Sequence, residues 1–575
     1  MSQNDYKKPC LVDTGRGFSV YYQDRFLYSK YAPKKTIQGA VENLEILPGT
    51  LFVISSPLLW YGLDTLLNRL PENCFILALE KDFELYTLSK KILQEEKNKN
   101  PALKIDRKAR LLAPEKIPYI VNIILNQNIG KEDEIPPVYN FRRAIYLEFS
   151  GGASFNREFY QNVFMLVQNA IGSFWKNRIT LTRLGRLYSR NIFKNLTNLP
   201  NAANFSAFEK KIKNPIFIFG AGESAADTLK TIGTDELEKC FVMCVDAALP
   251  VLSAFGIKPD AVVAVEGQIA IEKAYIGNAN LESFIFADMA SRRQVLSHSK
   301  FFSYFSSEFA KATFLEKLKE QSFFPKTIPA LGSVGLTASY LALALRESDE
   351  IPIFAAGLDF DFSLGKTHSQ NAPAHISRLI SSNRLKTIAN YDSAFKNGAI
   401  KAGKANGTNF FTDIQLSNYA KSFREFFGKS RNFFSCSPFG LNIGLTQVKK
   451  EEVEYFLQKL KSPEKNIPNE AKQNIKSSEK IRKEILLYLK NEESALEEIK
   501  ILLSGRKSEN QTNEDFEREL EALLSCREYL FLHFPDGFKC DIKNTSFLKR
   551  VRSELDFFLK DIKNASEFLK KNTKS

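Results

Sequence analysis

The chain has 575 residues, of which 44% are hydrophobic and 25% charged, with 48 phenylalanines and a formal net charge of +14. This length exceeds a single ordinary core and predicts about three or four domains. The composition excludes a disordered or fibrous chain. No uncharged apolar run approaches the roughly 18–20 residues of a membrane span. The opening MSQNDYKKPC has lysines but no apolar stretch behind them, so it does not read as a secretory signal, and a cytoplasmic location is expected.

Lysine is spread along the whole sequence, without blocks of about five or six like charges and without a nucleic-acid module, so nucleic acid is not an expected partner. The seven cysteines are odd in number and few for this length, which argues against a disulfide framework. Cys240 and Cys244 flank an apolar triplet, and no second ligand pair accompanies them. They read as core residues of a strand, and no metal site is expected.

In chain order, residues 1–48 mix aromatic and turn residues and read as a strand-rich extension. From "GTLFVISSPLLWYG" onward the pattern is strand, turn, helix, then a second strand ending at Glu80 and a second helix, a βαβα unit with parallel strands. An acidic residue at that strand end suits a ribose, but the turn Ser55-Ser56-Pro57 lacks the glycines that let a backbone approach a pyrophosphate. Residues 1–155 are therefore expected to form an extension and a degenerate Rossmann-like domain of structural role. Residues 156–211 read as a helical linker.

Short apolar runs at 216–219, 241–245, 261–265, 283–287 and 351–356 alternate with helical segments. They predict an α/β central domain over 212–450, Rossmann-like and doubly wound around buried parallel strands. Beyond Glu451 the chain turns to Lys, Glu, Asn and Leu. Ile485, Leu489, Leu496, Ile499 and Leu503 share one stripe, which predicts an α-helical C-terminal domain over 451–575.

The stretch "IFIFGAGESAADTL" at 216–229 carries the clearest chemistry. Gly220 and Gly222 permit a tight turn after a strand, and Ser224 followed by Asp227 resembles a capping box at a helix start. Free amides and the positive end of the helix dipole at such a turn bind phosphate. Around it, strand ends place Asp246, then Glu266 and Gln268, then Asp359, on the side where open α/β sheets bind ligands. Ser333 stands at another helix start. Two of the four histidines, His368 and His375, follow Asp359 in the next loop. Together these residues predict a crevice at the ends of the strands.

The segments "FGAGES", "VDAALPVLSAFGIKPDAVVAVEGQ", "GSVGLTASYLALAL" and "AAGLDFDFSLGKTHS" resemble the motility-associated factor family of flagellin glycosyltransferases. The central domain of that family is also similar to a 6-hydroxymethylpterin diphosphokinase. A more distant likeness is to bacterial sialyltransferases, to whose Cys/Ser-Pro strand near the donor nucleotide "FFSCSPFGL" is similar, pointing to Ser437. The resemblance implies transfer of a nonulosonic, sialic-acid-like sugar from its CMP-activated form to Ser or Thr hydroxyls of flagellin, for flagellar assembly and motility. Flagellin and the nucleotide sugar would be the partners, and no cofactor is implied beyond that donor.

On this reading Gly220, Gly222 and Ser224 cradle the leaving phosphate. Asp246, Glu266 or Gln268 holds ribose or base, and Ser333 reaches phosphate or sugar carboxylate. Asp359 braces the loop. His368, which matches the family's T-H, would be a base titrating near neutrality, with His375 as runner-up. CMP is already a good leaving group, so an inverting, metal-independent transfer is expected. An ATP-dependent pterin diphosphokinase would need an acidic cluster of the type D-x-D, whereas Val265-Glu266-Gly267-Gln268 offers one carboxylate. A non-catalytic flagellin-binding adaptor is the remaining alternative.

Overall fold

The computed structural model describes residues 8–125, 135–278, 280–363, 367–385, 400–405, 408–459, 479–504 and 512–571. The chain divides into two compact units, one up to Thr180 and one from Leu181 onward. The α/β class and the parallel sheets expected from sequence are both present, with helices following at the C-terminal end.

The first unit begins with an antiparallel sheet of β1 (Cys10–Asp13), β2 (Phe18–Tyr22) and β3 (Arg25–Phe26). A parallel sheet follows, built from β4 (Thr50–Ser55), β5 (Phe75–Leu79), β6 (Ala109–Leu112) and β7 (Arg143–Glu148) in the order β6-β5-β4-β7. Every residue of β4 and β5 is buried, as strands covered on both faces require. Glu80, fully buried at the end of β5, accepts hydrogen bonds from the Ser56 hydroxyl at 2.7 Å, the Tyr160 hydroxyl at 2.8 Å and the Asp82 amide at 3.1 Å. Burial raises its pKa, and these three donors pull it back down. The carboxylate holds the turn after β4, where Ser56, Leu58 and Trp60 all have positive φ.

The second unit contains β8 (Ile216–Phe219), β9 (Phe241–Val245), β10 (Ala261–Ala264), β11 (Phe284–Asp288), β12 (Phe302–Ser307), β13 (Thr327–Ile328) and β14 (Ile353–Ala356). After these come β15 (Phe362–Ser363), β16 (Ile400–Ala405), β17 (Thr408–Thr412), β18 (Phe433–Ser435) and β19 (Thr446–Gln447). Nine strands form one sheet in the order β13-β12-β11-β10-β9-β8-β14-β18-β19, with β15, β17 and β16 in a small antiparallel sheet. All pairings of the large sheet are parallel. The chain lays down β8 to β13 in one direction and then returns to add β14 on the other side of β8. The strand order therefore reverses between β8 and β14, which is where open α/β sheets form their crevice.

The helices Glu479–Leu503, Asn513–Leu524 and Thr545–Lys571 share one continuous core with this sheet, running from Leu181 to Leu569. Phe193 packs edge-on against Tyr529 at 5.1 Å and Phe558 at 6.1 Å between ring centres. The Glu528 carboxylate accepts the amides of Thr313 and Phe314 at 2.7 and 3.0 Å, capping the Thr313–Lys319 helix with a negative charge at the positive end of its dipole. No described helix is long and apolar enough to cross a membrane.

Candidate active site

Two loops meet at the point of reversal: the turn after β8 and the turn after β14. Gly220 donates its amide to the Ala356 carbonyl at 2.8 Å, and Gly222 donates to the Gly357 carbonyl at 2.9 Å. The backbones approach so closely that a Cβ on Gly220 or on Gly357 would collide with the other loop, and Gly357 also has a φ of +71°. Glycine is required here because two main chains touch.

The Ser224 amide donates to Asp359 Oδ2 at 2.8 Å, and the Ser224 hydroxyl makes a short hydrogen bond to Asp359 Oδ1. The same hydroxyl oxygen lies 2.8 Å from Ser437 Oγ, whose hydroxyl is the donor of that pair, and it accepts the Gly357 amide at 3.0 Å. Burial pushes the Asp359 carboxyl up to about 6 against the pull of Ser224 and Ser437, with Glu223 adding a smaller upward push. The Asp359 carbonyl also accepts the Leu441 amide at 2.9 Å, so Asp359 joins the β8, β14 and β18 loops.

This arrangement corrects two expectations. The amides of Gly220, Gly222 and Ser224 are not an open phosphate cradle, because two carbonyls and the Asp359 carboxylate already occupy them. Nor does Ser224 cap its helix. The Ser224–Ile232 helix has Glu223 at its N-cap position and no side-chain cap bond. A buried carboxylate needs donors, and Asp359 claims both that Ser224 offers. The anion at this turn is the protein's own Asp359, where the sequence pattern led to the expectation of a bound phosphate.

The histidine loop joins the same place. The Ser369 amide, one residue after His368, donates to the Ala221 carbonyl at 2.9 Å. His368 Nδ1 lies 2.9 Å from the Thr367 hydroxyl, which is itself hydrogen-bonded by Arg378. Burial first, then the charges of Arg378 and His375, push the His368 imidazole down to about 4. Burial thus holds His368 below the near-neutral titration expected of a base. His375 is buried on the Pro373–Ser381 helix. Leu364 to Lys366, part of the motif before His368, lie outside the described residues.

The remaining expected residues lie along the ends of the neighbouring strands. Asp246, immediately after β9, accepts the Ala247 amide at 2.7 Å through Oδ1, while Oδ2 is buried without a hydrogen-bond partner among the described residues. Burial raises this carboxyl to about 7, with a further push from Glu266. Glu266, after β10, accepts the Gln268 amide at 2.9 Å, and Gln268 is exposed. Ser333 precedes the Val334–Leu345 helix as its N-cap residue without a side-chain cap bond, and Gly332 before it has a φ of +75°. Gly335 in the first turn of that helix faces Leu358, which also borders Gly220, so this helix start adjoins the β8 and β14 loops.

Sequence reasoning missed three residues here. Asp288 closes β11 as Asp246 follows β9, and it accepts the amides of Ala290 and Ser307 at 2.7 and 2.9 Å. The tyrosine hydroxyl of Tyr275, like Asp246 Oδ2, is buried without a hydrogen-bond partner among the described residues, and burial, with the nearby Asp246 charge adding to it, raises its pKa. Arg378 organises the His368 loop through Thr367. The strand-final position of Asp288 was a readable signal; the other two were not.

A family model described as 6-hydroxymethylpterin diphosphokinase MptE-like matches residues 190–365, which include β8 to β14. A Treponema pallidum (strain Nichols) protein, described there as an uncharacterized protein, is 30% identical over 567 residues, covering 96% of this chain and 94% of that one. The chain belongs to that protein's family. The MptE-like match agrees with the likeness of the central domain to a pterin diphosphokinase that the motifs carry. Among solved structures, the MAf glycosyltransferase from Magnetospirillum magneticum AMB-1 is similar with a TM-score of 0.48 at 14% identity, over 98% of this chain and 91% of that one.

Proposed function

We propose that the chain is a cytoplasmic glycosyltransferase that moves a nonulosonic sugar from its CMP-activated form to Ser or Thr hydroxyls of flagellin, with inversion and without a metal. The observation that carries the reading is the anchoring of the His368 loop to the glycine turn, through the Ser369 amide on the Ala221 carbonyl, at the reversal point of the sheet. On this reading the imidazole and the strand-end polar groups would border one crevice.

With the Ser224 turn occupied by Asp359, the donor phosphate fits best at the uncapped start of the Val334–Leu345 helix, beside Gly332 and Ser333. Asp246, Glu266 and Gln268 would hydrogen-bond the nucleoside from the neighbouring strand ends. His368, neutral when the site is empty, holds a lone pair for the acceptor hydroxyl's proton. The phosphate and sugar carboxylate of a bound donor would raise its pKa toward neutrality, where a general base works best. Direct displacement by the hydroxyl on the far side of the departing phosphate inverts the anomeric centre. The test is an incubation of purified protein, CMP-nonulosonate and flagellin in EDTA. Glycosylated flagellin with release of CMP is expected; complete dependence on magnesium would overturn the metal-free part, and no transfer under either condition would overturn the whole.

The MptE-like match favours one second reading, diphosphoryl transfer from ATP to a pterin. Calorimetry with CMP and ATP side by side separates the two, since the first reading expects heat from CMP and the second from ATP.

A further inference from the structure

The Pro373–Ser381 helix is turned the wrong way for an ordinary surface helix. Its His375 is buried, with 7% of its surface exposed, while Ile376, Leu379 and Ile380 are 41%, 53% and 80% exposed. Leu385 beyond it is 94% exposed. A surface helix normally presents its apolar stripe to the core and its polar face to water. Here the inward face serves the site, through His375 and through Arg378 on Thr367, and the apolar stripe is left outside.

The segment after Gln268 continues this surface. Lys273 Nζ lies 3.3 Å from Ser377 Oγ, which joins the turn Ile269–Tyr275 to the helix, and Ile269 and Ile276 are 68% and 74% exposed. A cluster of exposed isoleucines and leucines spread over two adjoining elements is the kind of patch that marks a protein contact. Its charge is one-sided. Besides the inward-facing Arg378, residues 269–276 and 367–385 carry the exposed Lys273 and Arg384, and their one carboxylate, Glu272, is paired with Arg292 at 2.6 Å.

We infer that this face is the docking surface for the acceptor polypeptide, and that it takes an amphipathic segment bearing apolar and acidic residues close to the hydroxyl to be modified. The inference rests on the transferase reading for the identity of the acceptor. The geometry links docking to chemistry: Arg378, on the docking helix, bonds the residue before His368, so whatever covers the helix lies beside the base. Apolar burial supplies the affinity, and the basic surround selects an acidic partner.

The experiment measures binding of the full chain to purified flagellin without any sugar donor, for wild type, Leu379→Asp/Ile380→Asp and, separately, Ile269→Asp. All three positions are exposed, so folding is preserved and is checked by circular dichroism. Each variant should weaken flagellin binding about tenfold or more, as loss of central apolar anchors does, with affinity for CMP unchanged. Equal binding by wild type and variants, or none by wild type, overturns the inference. So does a wild-type dimer that the variants convert to monomer in sedimentation, which would assign the face to a second copy. Selective binding of wild type to anionic phospholipid vesicles in place of flagellin would assign it to a membrane and overturn the inference equally. Because no donor is present, failure of sugar transfer leaves the docking result standing. Transfer by wild type together with unchanged flagellin binding by the variants defeats docking alone.

Discussion

Ser224 meets Asp359 twice, its amide on one carboxylate oxygen at 2.8 Å and its hydroxyl on the other. A side chain from the end of the β14 loop thus closes the turn after β8 as a bound anion would. Removing the carboxylate leaves the buried Ser224 amide without an acceptor and the hydroxyl with Ser437 alone. Asp359→Ala should cost on the order of 2–4 kcal/mol, since hydrogen bonds to charged groups contribute about 1.5–3 kcal/mol each and orphaned donors add to the loss. Asp359→Asn keeps one acceptor and should cost less. Thermal unfolding of the two variants checks the order, and an Ala variant as stable as wild type contradicts the assignment.

The glycines of this turn are needed for contact between two backbone segments. An added Cβ at Gly222 would lie 2.5 Å from Asp359 Oδ2 and 2.7 Å from the Gly357 carbonyl, whereas one at Gly39, in the Lys35–Glu42 helix, meets nothing within 4 Å. Gly222→Ala should lower the melting temperature. Gly39→Ala should leave the first unit unchanged or raise its stability by up to about 1 kcal/mol, as Gly-to-Ala changes inside helices do. Calorimetry of the two variants gives the comparison.

Asp246 provides a pH test. Folded, it holds its proton up to about pH 7, whereas the unfolded chain releases it near the ordinary value of about 4. Between those values the folded protein binds the extra proton, so this residue's contribution to stability falls as pH rises through that window. Asp246→Asn imitates the protonated form. The melting-temperature advantage of the variant over wild type should be larger at pH 8 than at pH 5 by about 2 °C or more. An offset that is the same at both pH values would show that the carboxyl ionises freely.

His368 behaves in the opposite sense. Its folded pKa lies below the unfolded one, so its contribution to stability declines as pH falls from about 6.5 toward 4. In the donor-free protein its imidazole resonances should stay in the neutral position from pH 8 down to about 5, and a midpoint near 6.5 would refute the burial argument. If it is the base, His368→Ala should reduce turnover by roughly 10²- to 10⁴-fold while the affinity for CMP stays within about twofold.

The sheet was legible where its strands are purely apolar. Ile216–Phe219, Phe241–Val245 and Ile353–Ala356 are buried runs bounded by turn residues, and the pattern identifies them. β12 escaped because the run FSYFSS carries serines, and Ser303 and Ser306 are buried in it. Hydrophobicity cannot mark a strand whose interior positions are hydroxyls. At the site, the sequence showed a turn suited to an anion and a carboxylate at a later strand end. That the two satisfy each other depends on β14 pairing directly with β8, a contact between residues 135 positions apart that local pattern does not encode.

The cap that Glu528 places on the Thr313–Lys319 helix gives the C-terminal helices a role in the part of the molecule that holds the nine-stranded sheet. A chain shortened before Glu479 loses that carboxylate together with Tyr529 and Phe558, which face Phe193. It would expose one side of the core beneath the sheet to water. During synthesis the sheet thus waits for the helices between Glu479 and Lys571 to emerge before its core is closed.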